Sequence, residues 1–201
     1  MLLLHEPSEK LISRFLDSHR HSPFSYAEIG ATQHEHPPGY RIDHNRVRLG
    51  FGRDIFEHAI QDLRLWKQFD LGWVKILPPE ARIEVGAIVA IRAKTYGFWS
   101  LSACRVVYVI DEEAPVKKFG FAYGTLADHV ERGEERFTIE WHPEDDSVWY
   151  DILAFSRPQH PLVKLGFPLA RHLQRRFARD SLRKMAESVP HPLPVLVGEN
   201  G

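Results

Sequence analysis

The chain has 201 residues, of which 43% are hydrophobic and 26% charged, and its formal net charge is -1. A chain of this length buries roughly 70% of its unfolded surface in one core without staples, and so even a charge excludes global attraction to nucleic acid or to an anionic membrane. The lone cysteine, Cys104, excludes an internal disulfide and fits a reducing compartment; the opening Met-Leu-Leu-Leu is too short for a signal-peptide core and no stretch reaches the roughly 18 apolar residues of a membrane span, so a cytoplasmic location is expected.

In chain order, Ser8 caps a first helix over 8–19, with Leu11, Ile12, Phe15 and Leu16 on its apolar face. FSYAEIGAT (24–32) is short and partly extended, and QHEHPPGY (33–40) is a loop by its Pro-Pro-Gly content. Arg41–Leu49 alternates as a strand. Gly50 and Gly52 turn the chain into a helix predicted over 54–69, where Phe56, Ala59, Ile60, Leu63 and Trp66 share one face. Six further strands are predicted over 73–77, 83–96, 101–110, 118–125, 135–141 and 148–155, with turns at DEEAP, at 129–133 and at HPEDD. In 118–125 the large Phe119, Phe121 and Tyr123 alternate with the small Gly120, Ala122 and Gly124, a face that admits a second backbone or a ligand. The stretch 148–155 is apolar on both faces except for Asp151, so its facing is ambiguous.

The last strong element is a helix predicted over 162–187. Leu162, Leu165, Leu169, Leu173, Phe177 and Met185 recur at three- or four-residue steps, with Ser181 the one polar member of the row. That stripe runs about seven turns, or about 39 Å. A long amphipathic helix after seven antiparallel strands implies a sheet wrapped around or laid over it. The expected organisation is a helical extension at 1–23, one domain at 24–189 and a Pro-rich tail at 190–201.

FSYAEIGAT, GYRIDHNRVRLGFG, CRVVYVIDEE, FGFAYGTLADHVERGEERF, VWYDILAFSRP and FARDS resemble DUF1990, a family of uncharacterised proteins, over nearly the whole chain. Its architecture looks like that of the START and pollen-allergen superfamily. The resemblance implies an α+β helix-grip fold, in which a curved seven-stranded antiparallel sheet grips the C-terminal helix and the space between them receives an apolar ligand. One departure is evident: that superfamily usually has two short helices after its first strand, and only 54–69 reads as helix here.

Candidate site residues follow from chemistry. Tyr26, Tyr108, Tyr123, Trp141 and Tyr150 carry rings that line an apolar pocket while a polar tip orients a ligand; ordinary core packing is the competing reading. Asp151 in an apolar strand demands a partner, with Arg105, Arg157, Arg175 and Arg179 in reach. It is either half of a buried structural ion pair between sheet and helix, or the polar end of an apolar pocket in which Asp151 or Glu135 is a general base and an arginine holds a carboxylate or phosphate. His44, in a strand, is a hydrogen-bonding pocket residue or a structural histidine. Catalytic candidates are therefore Asp151, Glu135 and His44. His34, Glu35, His36 and His44 lack a zinc spacing, so neither metal nor cofactor is expected. Ser102 and Ser156 lack a nucleophile elbow, and Gly50-Phe51-Gly52 lacks the third glycine of a phosphate loop. The basic residues of the last helix usually mark a solvated face.

The function this reading favours is binding of a small apolar or amphipathic ligand between sheet and helix. The alternatives are an enzyme on the same scaffold, of cyclase, dehydratase or hydrolase type, and an interaction module using the basic helix face. No nucleic-acid partner is expected, and ligand identity and oligomeric state stay open.

Overall fold

A computed structural model describes residues 1–34, 37–127, 129, 131–158 and 167–190. The elements are β1 (Leu2–Leu3), α1 (Glu9–Ser18), β2 (Arg41–Phe51), α2 (Arg53–Arg64), β3 (Val74–Leu77), β4 (Ile88–Thr95), β5 (Phe98–Glu112), β6 (Lys117–Thr125), β7 (Glu131–His142), β8 (Ser147–Pro158) and α3 (Phe167–Ser188). One antiparallel sheet runs in the order β2-β8-β7-β6-β5-β4-β3, and the two-residue β1 pairs with β5 beyond the end of β6. The seven expected strands are all present, and β1 is the addition. The sheet and α3 make the helix-grip arrangement that the resemblance implied.

Three boundaries differ from expectation. The helix predicted over 54–69 ends at Arg64, because Trp66 takes a left-handed conformation (φ 56°) and a separate 3-10 turn follows at Lys67–Phe69. The break lets Lys67 reach back to the buried Asp62 at 2.6 Å and the Trp66 indole donate to the Ala81 carbonyl at 2.7 Å. A second helical turn thus follows the first main strand after all. The strand predicted from Ile83 starts at Ile88, since Gly86 turns the chain at φ 88°. The expected turn at 129–133 gives way to β7 from Glu131, possible because Gly133 lacks the Cβ that would collide with the Phe155 carbonyl of β8.

Packing divides the sheet into two covered faces. Register aligns Phe121 with Phe137 and Phe137 with Ile152, all on the inner face, where they meet Leu63, Phe69 and Met185 in the main core. Each such side chain contributes about 1.5–3 kcal/mol relative to exposure. In α3, Phe177 packs 4.9 Å from Phe69 between ring centroids, and Ser181 is fully buried with its Oγ 3.0 Å from the Tyr150 hydroxyl. That contact is why one member of the apolar row is polar. Leu169 of the same row is exposed, and 162–166 of the predicted helix lie outside the described residues.

The outer face is covered by the N-terminal segment. Ser8 Oγ accepts from Leu11 N and starts α1, whose Phe15, Ile12 and Leu16 pack on Ala90, Leu101, Ala103 and Leu126. The chain then crosses β6 and β7. Ser25 N donates to the Thr125 carbonyl at 2.9 Å, and Tyr26 lies over Gly124, where a Cβ would overlap its phenol. The small-residue face of β6 therefore receives Tyr26 from the same chain. Glu134, 2% exposed, binds this strap: it accepts from Tyr26 Oη (2.7 Å), Gly30 N (2.7 Å), Thr32 N (3.0 Å) and Thr32 Oγ1. A buried carboxylate needs that many donors to offset its lost hydration.

Candidate functional site

Strand parity decides which side chains meet. Glu135 is paired with Tyr123 on β6 and with Ala154 on β8, and Ala154 with Asp43 on β2. These four, and Glu131 four pairs away along β7, all face α3. Opposite them α3 presents Arg171 and Gln174 and then Phe177, Ala178 and Leu182. Between the two surfaces lies a cavity of about 670 Å³. Phe69, Trp73, Val74, Ile91 and Ala93 border it on the side of β3 and β4, and Asp43, Tyr123, Glu131 and Glu135 on the side of β2, β6 and β7.

The contacts grade along α3. Near its start Arg171 forms a two-point ion pair with Asp43, and Gln174 Nε2 donates to Glu131 Oε2 (2.6 Å) and Ser156 Oγ (3.1 Å). Further along, Phe177 meets Phe69 and Phe137, and Trp73 Nε1 donates to Asp180 at 3.1 Å. The cavity is therefore polar beside the first turns of α3 and apolar beside the later ones.

Tyr123 donates to Glu135 Oε2 at 2.7 Å, and among the described residues no other group hydrogen-bonds that carboxyl. Burial raises the Glu135 pKa to about 7; the Tyr123 hydrogen bond opposes the rise, and the nearby Glu131 and Asp43 add to it. Burial also raises Glu131, against the opposing effects of Gln174 and Arg171. His129 is pushed down to about 4 by burial and is neutral at physiological pH, with Glu131 N donating to its Nδ1 at 3.1 Å. Burial drives the Tyr123 phenol well above its ordinary range, so it stays a donor. Cys104, fully buried, is likewise pushed up by desolvation and stays a thiol.

Of the residues singled out in the sequence, Tyr123, Glu135 and Arg175 line the cavity, Arg175 from the exposed side of α3. Tyr150 and Trp141 share the inner face but lie off the cavity: Tyr150 is fully buried against Ser181, and Trp141 is half-buried beside Phe56 with its indole donating to Asp146. The other five face outward, so Asp151 and Glu135, the two carboxylates offered as general base, lie on opposite faces of the sheet. Asp151 sits opposite Arg46 and Thr138 and is held by Arg136 (3.2 Å) and His44 Nε2 (2.5 Å). Its partner is Arg136, none of the four arginines expected. Arg105 instead donates to the carbonyls of His19 and Arg20 at the end of α1, Tyr108 meets Thr32 Oγ1 at 2.6 Å, and Tyr26 serves the strap.

Sequence reasoning missed Asp43, Arg171 and Gln174. The signal for Asp43 was its position one residue from His44, on the other face of the same strand. Glu131 was legible as the residue four before Glu135, hence on the same face, once β7 is known to start there. On α3, Arg176, Arg179 and Arg183 converge on the buried Asp180 at 3.4, 3.4 and 3.8 Å, which neutralises part of the basic face. Among the described residues no three metal-ligating side chains cluster, and no helix is long and apolar enough to cross a membrane; His36 lies outside them.

Fold and site together define an α+β helix-grip domain with a cavity between sheet and helix. The chain belongs to the DUF1990 family, described as a domain of unknown function, whose model matches residues 25–184. It is 38% identical to a UPF0548 protein of Dictyostelium discoideum, over 94% of this chain and 96% of that one. A UPF0548 protein of Deinococcus radiodurans is 34% identical over 94% and 98% of the two chains. Among solved structures, a hypothetical protein of Helicobacter pylori shares the fold with a TM-score of 0.53 at 13% identity, covering 78% of this chain and 95% of that chain.

Proposed function

We propose that the protein binds a hydrophobic or amphipathic small molecule between the sheet and α3. The observation that carries this reading is the cavity of about 670 Å³, within the range of roughly 300–1,000 Å³ usual for small-molecule sites. Its grading from Phe69, Trp73 and Ile91 to Asp43, Glu131 and Glu135 suits a ligand with an apolar body and one polar end. Native mass spectrometry of the purified protein, followed by solvent extraction, tests it. A stoichiometric adduct released as a lipid-like molecule supports the reading; a bare mass, together with no uptake of added amphiphiles, sinks it.

A second reading is supported by one feature, the Glu135 carboxyl that titrates near 7 beside open space. A base with that pKa is matched to proton transfer at neutral pH, with Tyr123 as its hydrogen-bonding partner. The protein would then act on its ligand, in the manner of a cyclase, dehydratase or hydrolase. Incubating the extracted ligand with the protein in D₂O distinguishes the two readings. An enzyme gives a chemical change or deuterium incorporation that is lost in Glu135→Gln; a carrier returns the ligand unchanged.

A further inference from the structure

Among the described residues, the inner wall carries three carboxyl groups, Asp43, Glu131 and Glu135, and one arginine in contact with any of them, Arg171. Both terminal nitrogens of Arg171 are spent on Asp43. Glu131 and Glu135 have only neutral donors, Gln174 at 2.6 Å and the Tyr123 hydroxyl at 2.7 Å, and neither forms an ion pair among the described residues. Two half-buried acidic groups thus share one strand face with Gly133 between them; Arg171 opposes the rise of Glu131 without touching it, and among the described residues Glu135 has no cation beside it. A partly buried acid without a counter-ion is disfavoured in its charged form, and here the carboxyl of Glu135 borders the cavity.

We propose that the ligand carries a protonated nitrogen, so that the cavity takes a cationic amphiphile, its ammonium between Glu135 and Glu131 and its apolar body against Phe69, Trp73, Ile91 and Phe177. This rests on the binding reading above and specifies its ligand class. Among the described residues, the charged and titratable groups around Glu135 are these: Tyr150 on β8 stays protonated, and Arg132 on β7 borders the cavity from a position of opposite strand parity to Glu135. On β2 Asp43 is paired, and on β5 and β6 Cys104 and Tyr123 stay protonated. His129, ahead of β7, stays neutral. On α3, Arg171 is engaged, Arg175 is exposed at the rim and Arg179 turns to Asp180. An ammonium arriving at Glu135 favours the ionised carboxylate, so binding releases a proton near neutral pH.

The test is titration calorimetry with three probes of equal chain length, decylamine, 1-decanol and decanoate, at about pH 6 and about pH 8. The expected order is amine first, by roughly tenfold or more over the alcohol, the margin of a charge-assisted hydrogen bond in a desolvated site. Its affinity rises with pH as Glu135 ionises, decylamine itself remaining protonated, while decanol shows no such trend. In Glu135→Gln the amine loses its margin and its pH dependence and decanol binding persists, which reports an intact cavity. If Glu135→Gln does not fold, the wild-type pH trend and probe order decide. Equal affinity of amine and alcohol at both pH values overturns the proposal and leaves the binding reading standing. So does tightest binding of decanoate, which would make Arg171 and Arg175 the selective groups. Failure of all three probes overturns both.

Discussion

Replacing Glu135 by glutamine removes a charge that the fold opposes while keeping an oxygen for the Tyr123 hydroxyl. In the folded chain this carboxyl titrates near 7, against an ordinary 4.5. Between those values the folded chain holds a proton that the unfolded chain has released. Stability from this group is therefore full below about pH 4.5 and falls as pH rises through about 7. At 1.36 kcal/mol per unit the whole displacement amounts to about 3 kcal/mol, of which about 2 kcal/mol is lost between about pH 5 and about pH 8. Part of the carboxyl faces the cavity, so this is a ceiling. Glu131, also raised, adds with the same sign, whereas His129, lowered, acts with the opposite one. Both are present in the wild type and in the variant, so differencing the two proteins leaves Glu135 together with its coupling to Glu131. Urea unfolding at both pH values is the assay, with a gain for Glu135→Gln over wild type that is small at the lower pH and about 2 kcal/mol larger at the higher. In thermal melts that difference is about 4–8 °C for a chain of this size. A variant that tracks the wild type in parallel at both pH values would refute the argument that burial in this cavity holds the proton on Glu135.

The acid side should mirror this. His129 titrates near 4 instead of 6.5, so stability is gained as pH rises from about 4 to about 6.5, and His129→Gln flattens that limb of the same urea series. Tyr26→Phe removes one donor from the buried Glu134 and costs about 1.5–3 kcal/mol in urea, with faster proteolysis within 24–34 as the local readout. Ala154→Trp fills the space beside Glu135; the ligand adduct disappears from native mass spectra while the melting temperature is held or raised. Asp151→Asn lowers stability through the lost Arg136 and His44 contacts but leaves the adduct intact, because Asp151 is on the other face of the sheet.

The scaffold was legible because its signals are local. Glycines and prolines punctuate the strands, alternation marks β2, β6 and β7, and the spacing of Leu173, Phe177, Ser181 and Met185 marks the inner side of α3. The break at Trp66 was not, since its cause is tertiary: the Ala81 carbonyl that receives its indole is fifteen residues away in sequence. The start of β7 at Glu131 depends in the same way on the Phe155 carbonyl across the ladder, which leaves room for glycine alone.

The site was harder for a single reason. A strand read with period two yields its two faces but not which one meets the helix, and the usual tie-breaker is that one face is polar. Here α1 and the strap at 24–34 cover part of the outer face while α2 and α3 cover the inner one, so β8 is apolar on both sides and Asp151 stands out as the odd residue. The oddity had a structural cause, the Arg136 and His44 pair beneath solvent. The carboxyl that faces open space, Glu135, looked ordinary in a strand already rich in charge. A ladder fixes all of these choices at once: with Glu135 opposite Tyr123 and Ala154, and Ala154 opposite Asp43, one correct assignment of facing brings Asp43, Tyr123, Glu131 and Glu135 to the cavity together and sends His44, Tyr108, Glu134 and Asp151 outward together. The N-terminal segment that hides the parity also buries apolar side chains on the outer face, and the inner face is where Glu135, with no ion pair among the described residues, titrates near neutral pH.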